Sequence, residues 1–200
     1  MAPGDIVVVD RNCHKSILHA IMMTGAVPVF LMPTRNHYGI IGPIPRSEFE
    51  PATIRKKMLA NPFCREKLEQ NPDVKPRVLT ITQSTYDGVL YNVEEIKSML
   101  DGEIETLHFD EAWLPHAAFH DFYGDYHAIG EGRPRCETSM VFSTQSTHKL
   151  LAGISQASQI LVQDAKQNKL DQHLFNEAYL MHTSTSPQYA IIAVSYTHLT

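Results

Sequence analysis

The sequence predicts an α/β fold, with a mostly parallel sheet and helices on both faces. Three observations predict it. Short apolar runs alternate with stretches of helical length, which is typical of parallel sheets whose strands are joined by helices. The first run, residues 6–10, opens with four consecutive apolar residues, as in a strand buried on both faces. The chain has 200 residues, of which 43% are hydrophobic, and this is enough to build a core.

Strands are predicted at β-branched and apolar runs, and helices at the stretches between them. The predicted strands are residues 6–10, 27–31, 77–82, 105–110, 139–143 and 158–162. The predicted helices are residues 15–23, 51–59, 93–100 and 170–181. Gly25 is predicted to end the first helix, and Asn92 to cap the third, with Glu95 in the capping-box position. Residues 33–50 are predicted to form a loop, and the polar, proline-bounded residues 61–76 a surface excursion.

Composition and charge argue against several classes of protein. There are 17 Lys and Arg against 22 Asp and Glu, a formal charge of −5, so binding to a nucleic-acid backbone is not expected. The longest apolar stretch, residues 17–32, contains Pro28, so no membrane-spanning helix is expected. Cys13, Cys64 and Cys136 lack metal-binding spacing and are odd in number. They disfavour a zinc site and a disulfide framework, and they predict a cytoplasmic protein.

Polar residues follow four of the predicted strands at their carboxyl ends. In parallel α/β sheets, ligands bind beyond the carboxyl ends of the strands. We therefore expect these clusters to meet in one site. The clusters are residues 10–16, 83–88, 110–113 and 144–149.

Lys149 is the centre of the predicted chemistry, because it follows polar residues and precedes an apolar run. Desolvation of a lysine at the edge of a core favours its neutral, nucleophilic amine. Ser146 and His148 are suited to hold a phosphate by hydrogen bonds. Asp110 ends a buried strand, where a carboxylate needs a cationic partner such as a protonated pyridine nitrogen. A Schiff-base lysine together with an aspartate on a pyridinium is the pattern that recognises pyridoxal phosphate.

Two other interpretations stay open on the residues alone. The first is a metal-dependent hydrolase that uses His116, His120 and Asp121, because histidines four residues apart share one face of a helix. No glutamate occupies the HExxH position, which weakens that motif. The second is a non-catalytic folded fragment, in which Lys149 is a surface residue and Trp113 packs in the core or against another subunit.

Five motifs in this order resemble the bacterial Orn/Lys/Arg decarboxylases. The motifs are DRNCHKS at 10–16, STYDG at 84–88, HFDEAW at 108–113, STHKL at 146–150 and MHTSTSP at 181–187. The resemblance covers residues 3–193. It implies the large domain of the type I aminotransferase fold, pyridoxal phosphate as cofactor, and decarboxylation of a basic amino acid. Arginine and lysine are favoured over ornithine as substrates.

The resemblance also implies catalytic roles at the cofactor ring. Lys149 would bind the cofactor as a Schiff base, and Asp110 would pair with the pyridine nitrogen. His14 would stack on one face of the ring. Ala112 would pack against the other face, where a larger side chain would clash.

Further cofactor contacts follow from the same resemblance. Ser146 and His148 would contact the phosphate, and Ser84 is assigned to the cofactor as well. Trp113 would lie near the ring hydroxyl. Residues 183–186 would reach the phosphate in the site of a partner subunit, so the resemblance implies at least a homodimer.

The resemblance divides the chain into two parts. Residues 1–193 are predicted to be a partial pyridoxal-phosphate-binding major domain, without the wing and C-terminal domains of the family. Residues 194–200 depart from the family pattern and are predicted to be a non-native tail. The chain is thus expected to be a fragment of a longer gene product.

Overall fold

The computed structural model describes residues 1–151, 156–183, 186 and 188–199. Its centre is a six-stranded sheet with the strand order β2-β1-β3-β4-β5-β6. The strands are β1 (Ile6–Asp10), β2 (Val27–Leu31), β3 (Val78–Thr82), β4 (Thr106–Asp110), β5 (Met140–Gln145) and β6 (Gln159–Gln163). β1 to β5 run parallel, and β6 pairs antiparallel with β5.

Helices cover both faces of this sheet, so the predicted fold class is confirmed. The α-helices are α1 (Lys15–Thr24), α2 (Pro51–Ala60), α3 (Pro62–Gln70), α4 (Val93–Leu100), α5 (Thr147–Leu150), α6 (Gln172–His182) and α7 (Tyr189–Leu199). Short 3-10 helices form at Arg46–Phe49, Pro115–Phe119 and Asp121–Tyr126. α7 extends across residue 193, the expected end of the major domain. The division into residues 1–193 and a tail of residues 194–200 stays a prediction. Within the described part of the chain, no helix is long and apolar enough to span a membrane.

β1 is buried on both faces, as its apolar run predicts. Side chains alternate along a strand, so neighbouring residues face opposite sides of the sheet. Val7 and Val9 pack with Ile21 of α1 on one side. Ile6 and Val8 enter the main core on the other side, together with residues of α2, α3 and α4. The sheet is therefore the middle layer of three.

Two helix ends follow the sequence prediction. Gly25 ends α1 with φ of 68°, in the left-handed region that glycine adopts without a steric penalty. The Asn92 side chain caps α4 by accepting a hydrogen bond of 2.9 Å from the backbone N–H of Glu95. The Glu95 carboxylate accepts a hydrogen bond from Arg46 Nε at 2.6 Å, so it serves an ion pair between two elements.

The surface excursion predicted for residues 61–76 is wrong over α3. Asn61 caps this helix by accepting a hydrogen bond of 3.1 Å from Phe63 N–H, and Pro62 occupies its first turn. Cys64 and Leu68 are four residues apart, share one face and are buried in the main core. Two apolar residues among many charged ones are a weak signal, and packing against α2 decides the structure.

Asp101 joins the end of α4 to the start of β5. Its carboxylate accepts hydrogen bonds from the backbone N–H groups of Glu137, Thr138 and Ser139, at 2.5, 3.0 and 3.0 Å. Partial burial alone would raise the pKa of Asp101, but these donors outweigh burial and lower it below its ordinary value of 3.8. The ionised carboxylate therefore stabilises the fold.

We expect Asp101→Asn to lower the free energy of unfolding by about 1 kcal/mol at pH 7, since charge-assisted hydrogen bonds are lost from a partly solvated site. A lowered folded-state pKa gives stability that is present above the unfolded value and is lost as pH falls through the folded value. The difference between the parent chain and the variant should therefore shrink steadily as the pH falls below 3.8. Urea denaturation followed by circular dichroism from pH 7 to pH 3 measures it. Exposed Asp73→Asn is the control, and an equal loss at every pH would contradict the prediction.

Candidate active site at the carboxyl edge of the sheet

The strand order leaves a crevice where the connections from β1 and β3 diverge. The chain passes from β1 to β2 on one side of β1. From β3, which pairs with the other side of β1, it passes to β4 in the opposite direction. Ligands bind at such switch points in open α/β sheets. A cavity of about 670 Å³ opens there, and all four polar clusters contribute to its lining. The predicted site residues that line it are His14, Ser84, Asp110, Ala112, Trp113, Ser146 and Lys149.

Asp110, at the end of β4, and Ala112, two residues later, both line this cavity. Asp110 ends the strand, and its Oδ1 accepts a hydrogen bond of 3.1 Å from the backbone N–H of Ala112. This bond turns the chain after β4 and brings the small Ala112 side chain to the cavity wall. A partly buried carboxylate thus lies beside a position with room for a flat ligand.

His108 also lines the cavity, although it is not among the site residues predicted from the sequence. Its Nδ1 lies 3.2 Å from Thr80 Oγ1, and its Nε2 lies 3.0 Å from Thr144 Oγ1. Burial lowers the pKa of His108 below 6.5, against the opposing charges of Asp110 and Glu111. The ring is therefore neutral at pH 7. The signal was its position two residues before Asp110, which places both side chains on one face of β4.

Lys149 lies in the one-turn helix α5, directly after β5. Its Nζ lies 4.7 Å from the centroid of the Trp113 ring, within the range of a cation–π interaction. The Tyr86 ring packs edge-on against Trp113, with centroids 4.5 Å apart. The lysine amine thus lies at the cavity against Trp113, and Tyr86 from another loop packs on that ring.

The turn after β1 presents His14 at the amino end of α1. His14 Nδ1 accepts a hydrogen bond of 3.3 Å from Ser16 N–H and lies 2.8 Å from Ser16 Oγ. Buried Asp10 shapes this turn, because its Oδ1 accepts a hydrogen bond of 2.7 Å from Asn12 N–H. Burial and the charge of Asp10 raise the pKa of the Cys13 thiol to about 11. Cys13 is therefore a neutral thiol at pH 7 and is unsuited to nucleophilic catalysis.

His148 is the predicted site residue that does not line the cavity. Its Nδ1 donates a hydrogen bond of 2.5 Å to the backbone oxygen of Ala157. Its predicted contact with a phosphate stays a prediction. The same holds for residues 183–186, since Ser184 and Thr185 lie outside the described residues, and Thr183 Oγ1 donates a 3.0 Å hydrogen bond to the Tyr179 carbonyl.

The histidines of the alternative metal site do not share a helix face. His116 lies in the 3-10 helix Pro115–Phe119, which ends before His120. His120 has extended backbone, and its Nδ1 accepts a 3.2 Å hydrogen bond from Phe122 N–H. Among the residues that the structure describes, no three His, Cys, Asp or Glu side chains converge to hold a metal ion. The geometry gives no support to a metal-dependent hydrolase.

The family of the chain is decided by comparison with known proteins. The model of the family described as Orn/Lys/Arg decarboxylase, major domain, matches residues 1–198. The chain belongs to this family. The family that the sequence motifs predicted is therefore confirmed. Its members are enzymes, the decarboxylases of ornithine, lysine and arginine.

Several decarboxylases of basic amino acids are similar to this chain. Lysine decarboxylase LdcA of Pseudomonas aeruginosa is 54% identical over 189 residues, which are 94% of this chain and 24% of that protein. The biodegradative arginine decarboxylase of Escherichia coli is 47% identical, over 96% of this chain and 25% of that protein. The solved structure of lysine decarboxylase A from P. aeruginosa matches with a TM-score of 0.88 and 52% identity, over 99% of this chain and 26% of that one.

The chain therefore spans about a quarter of the length of these Orn/Lys/Arg decarboxylases. A more distant structure, of SPT with PLP, matches with a TM-score of 0.61 at 15% identity, over 98% of this chain and 41% of that one. A likeness of that degree shows a shared fold. The sheet and its helices are thus an architecture used beyond this family.

Proposed function

We propose that this chain forms the cofactor-binding part of a pyridoxal-phosphate-dependent decarboxylase of a basic amino acid. One observation carries the proposal: the Lys149 amine, the Asp110 carboxylate and the small Ala112 side chain line the same cavity. Its volume of about 670 Å³ suits a small ligand. The aspartate ends β4 and the lysine follows β5, so pairing of the two strands holds them at one edge.

The residues of the cavity fit pyridoxal phosphate. Ser84 is buried, and its hydroxyl finds no hydrogen-bond partner among the described residues, so it is free to donate to a ligand. Ser146 adds a second hydroxyl at the wall. Lys149 provides the amine that would bond to the cofactor aldehyde, and Asp110 the carboxylate that would accept a hydrogen bond from the protonated ring nitrogen.

Pyridoxal phosphate, when bound, supplies a ring that withdraws electrons from the substrate α-carbon as CO2 leaves. Asp110 would hold a proton on the ring nitrogen by charge-assisted hydrogen bonding, which strengthens that withdrawal. Lys149 would hold the cofactor through its amine until the substrate amine replaces it, and the freed, protonated amine would be placed to return a proton to the α-carbon. His14 and Ala112 would confine the ring from its two faces, and Trp113 would pack near the ring hydroxyl.

The substrate that we propose to test first is lysine. Identity to lysine decarboxylase LdcA is 54%, compared with 47% to an arginine decarboxylase and 35% to the inducible ornithine decarboxylase of E. coli. The 54% identity to LdcA makes lysine the first substrate to test. The lysine decarboxylases of Hafnia alvei and E. coli, at 45–46%, are level with the arginine decarboxylase, so arginine is tested next and ornithine last. A homo-oligomer of at least two chains, located in the cytoplasm, completes the proposal.

Reductive trapping tests the cofactor site directly. The 200-residue chain is incubated with pyridoxal phosphate, reduced with borohydride, digested and analysed by mass spectrometry. We expect one dominant labelled peptide, which contains Lys149, and complete loss of that label in Lys149→Ala. Lys15→Ala is the matched control, because Lys15 lines the same cavity. It should keep the label at Lys149.

Two results would contradict the proposal. One is labelling spread over exposed lysines with no preference for Lys149. The other is a label at Lys149 that persists when phosphate-free benzaldehyde replaces pyridoxal phosphate at the same concentration, since the site would then recognise any aldehyde. Release of 1,5-diaminopentane from lysine, measured on the cofactor-loaded chain before borohydride is added, tests the reaction itself.

A further inference from the structure

Glu111 follows Asp110 in the sequence, and its carboxylate is fully buried. Its Oε1 accepts a 2.7 Å hydrogen bond from Ala128 N–H. Its Oε2 accepts hydrogen bonds from Ser143 Oγ at 2.6 Å and Gln145 Nε2 at 2.8 Å. A buried carboxylate is costly unless such donors surround it. Since Glu111 does not line the cavity, its role must be exerted through its neighbours.

Glu111 is ionised at pH 7. Burial alone would raise its pKa, but the His127 ring, 3.9 Å from Oε2, and hydrogen bonds from Ser143, Ala128 and Gln145 outweigh burial and lower it. An ionised carboxylate only accepts hydrogen bonds. Gln145 must therefore point its amide nitrogen, and not its amide oxygen, towards Glu111.

The same reasoning assigns the next side chain. Gln145 and Gln159 are directly opposite each other in the β5–β6 pair. With its nitrogen committed to Glu111, Gln145 presents Oε1, which accepts a hydrogen bond from Gln159 Nε2 at 2.5 Å. The remaining polar atom of Gln159 is its carbonyl oxygen Oε1, which has no hydrogen bond to any of the described residues. Gln159 lines the cavity together with Asp110 and Lys149.

We propose that Gln159 is a specificity-determining residue, whose carbonyl oxygen accepts a hydrogen bond from an ammonium group of the ligand in the cavity. Glu111 is the positioning residue that keeps this oxygen available, through Gln145. This inference rests on the proposed function, because a basic amino acid and its amine product both carry such an ammonium group. An acceptor at this wall favours cations over anions of the same length.

The charge of Glu111 matters because it fixes the direction of the two hydrogen bonds that link Glu111, Gln145 and Gln159. A glutamine at position 111 has both a donor and an acceptor, so it no longer dictates which end of the Gln145 amide faces it. Gln145 and Gln159 can then rotate together, and Gln159 can present its nitrogen to the cavity. Glu111→Gln should therefore reduce the preference for an ammonium ligand without removing any atom from the cavity wall.

Ligand-observed NMR on the 200-residue chain tests this with two probes, 1,5-diaminopentane and the dianion glutarate. We expect the unsubstituted chain to prefer the diamine. Gln159→Leu should raise the Kd for the diamine about tenfold, the usual effect of losing one hydrogen bond to a charged group. Glu111→Gln should lower the ratio of the Kd for glutarate to the Kd for the diamine severalfold. Ser139→Ala, which removes a buried hydroxyl bonded to the Ile104 carbonyl, controls for lost stability and should leave both Kd values unchanged.

The outcomes separate the two proposals. Diamine binding that Gln159→Leu leaves unchanged, or no diamine binding by the unsubstituted chain, overturns the role of Gln159. If Glu111→Gln does not fold, Gln159→Leu still decides the role of the acceptor. Trapping of pyridoxal phosphate at Lys149 is scored on the same samples. If the unsubstituted chain binds the diamine but shows no trapping of pyridoxal phosphate at Lys149, only the proposed cofactor function is overturned.

Discussion

Asp110→Ala is expected to weaken binding of pyridoxal phosphate by about 100-fold, since truncating one partner of a buried charge pair costs about 2–5 kcal/mol. The carboxylate of Asp110 lies in the cavity, and its Oδ1 is already anchored by Ala112 N–H. Removing it would leave the protonated ring nitrogen without a counter-charge. Lys149 remains, so covalent trapping should still occur at high cofactor concentration.

Fluorescence of Trp113 measures this affinity. Trp113 is the only tryptophan of the sequence and lies at the cavity wall, so bound cofactor should quench its emission. Asp125→Ala is the control, because Asp125 forms an ion pair with Arg133 and does not line the cavity. Equal affinities of Asp110→Ala and the parent chain would remove Asp110 from the proposed mechanism.

Phe109→Ala is expected to destabilise the chain by about 3–5 kcal/mol, the cost of emptying a phenylalanine site in a packed core. Phe109 lies next to Asp110 on β4 but points to the opposite face, where it is fully buried. Its strand pairs with β3 and β5. A loss of this size is a large fraction of the stability of a typical domain.

Chemical denaturation with urea checks this expectation, with Phe119→Ala as the matched control. Phe119 is 68% exposed, so its replacement should change the free energy of unfolding by less than about 0.5 kcal/mol. Similar losses in the two variants would mean that β4 does not lie in the interior. A loss confined to Phe109→Ala supports the central position of the strand that carries Asp110.

The strands and their polar ends could be predicted because their signals are local. An apolar run such as residues 6–9 favours burial on both faces of a strand, and a polar cluster directly after a strand lies at its carboxyl end. The caps Gly25 and Asn92 could be predicted for the same reason, since each acts on its own helix. The helix α3 could not, because only two of its residues face the core.

The environment of Glu111 could not be predicted from the sequence. It stands next to Asp110 and looks equivalent to it, yet one carboxylate lines the cavity and the other is fully buried. The donors that make burial possible come from positions 128, 143 and 145. No local pattern shows that these groups will meet.

The sequence by itself determined the order of the strands along the chain, the edge at which polar residues collect, and the family that its motifs resemble. The tertiary structure decided which of those residues share a cavity. It turned His148 towards the Ala157 carbonyl, brought the unpredicted His108 and Gln159 to the cavity wall, and buried Glu111. The physical reason is that a strand's position is set by its own apolar residues, whereas the direction of a polar side chain is set by hydrogen-bond partners that pairing of distant strands brings to it.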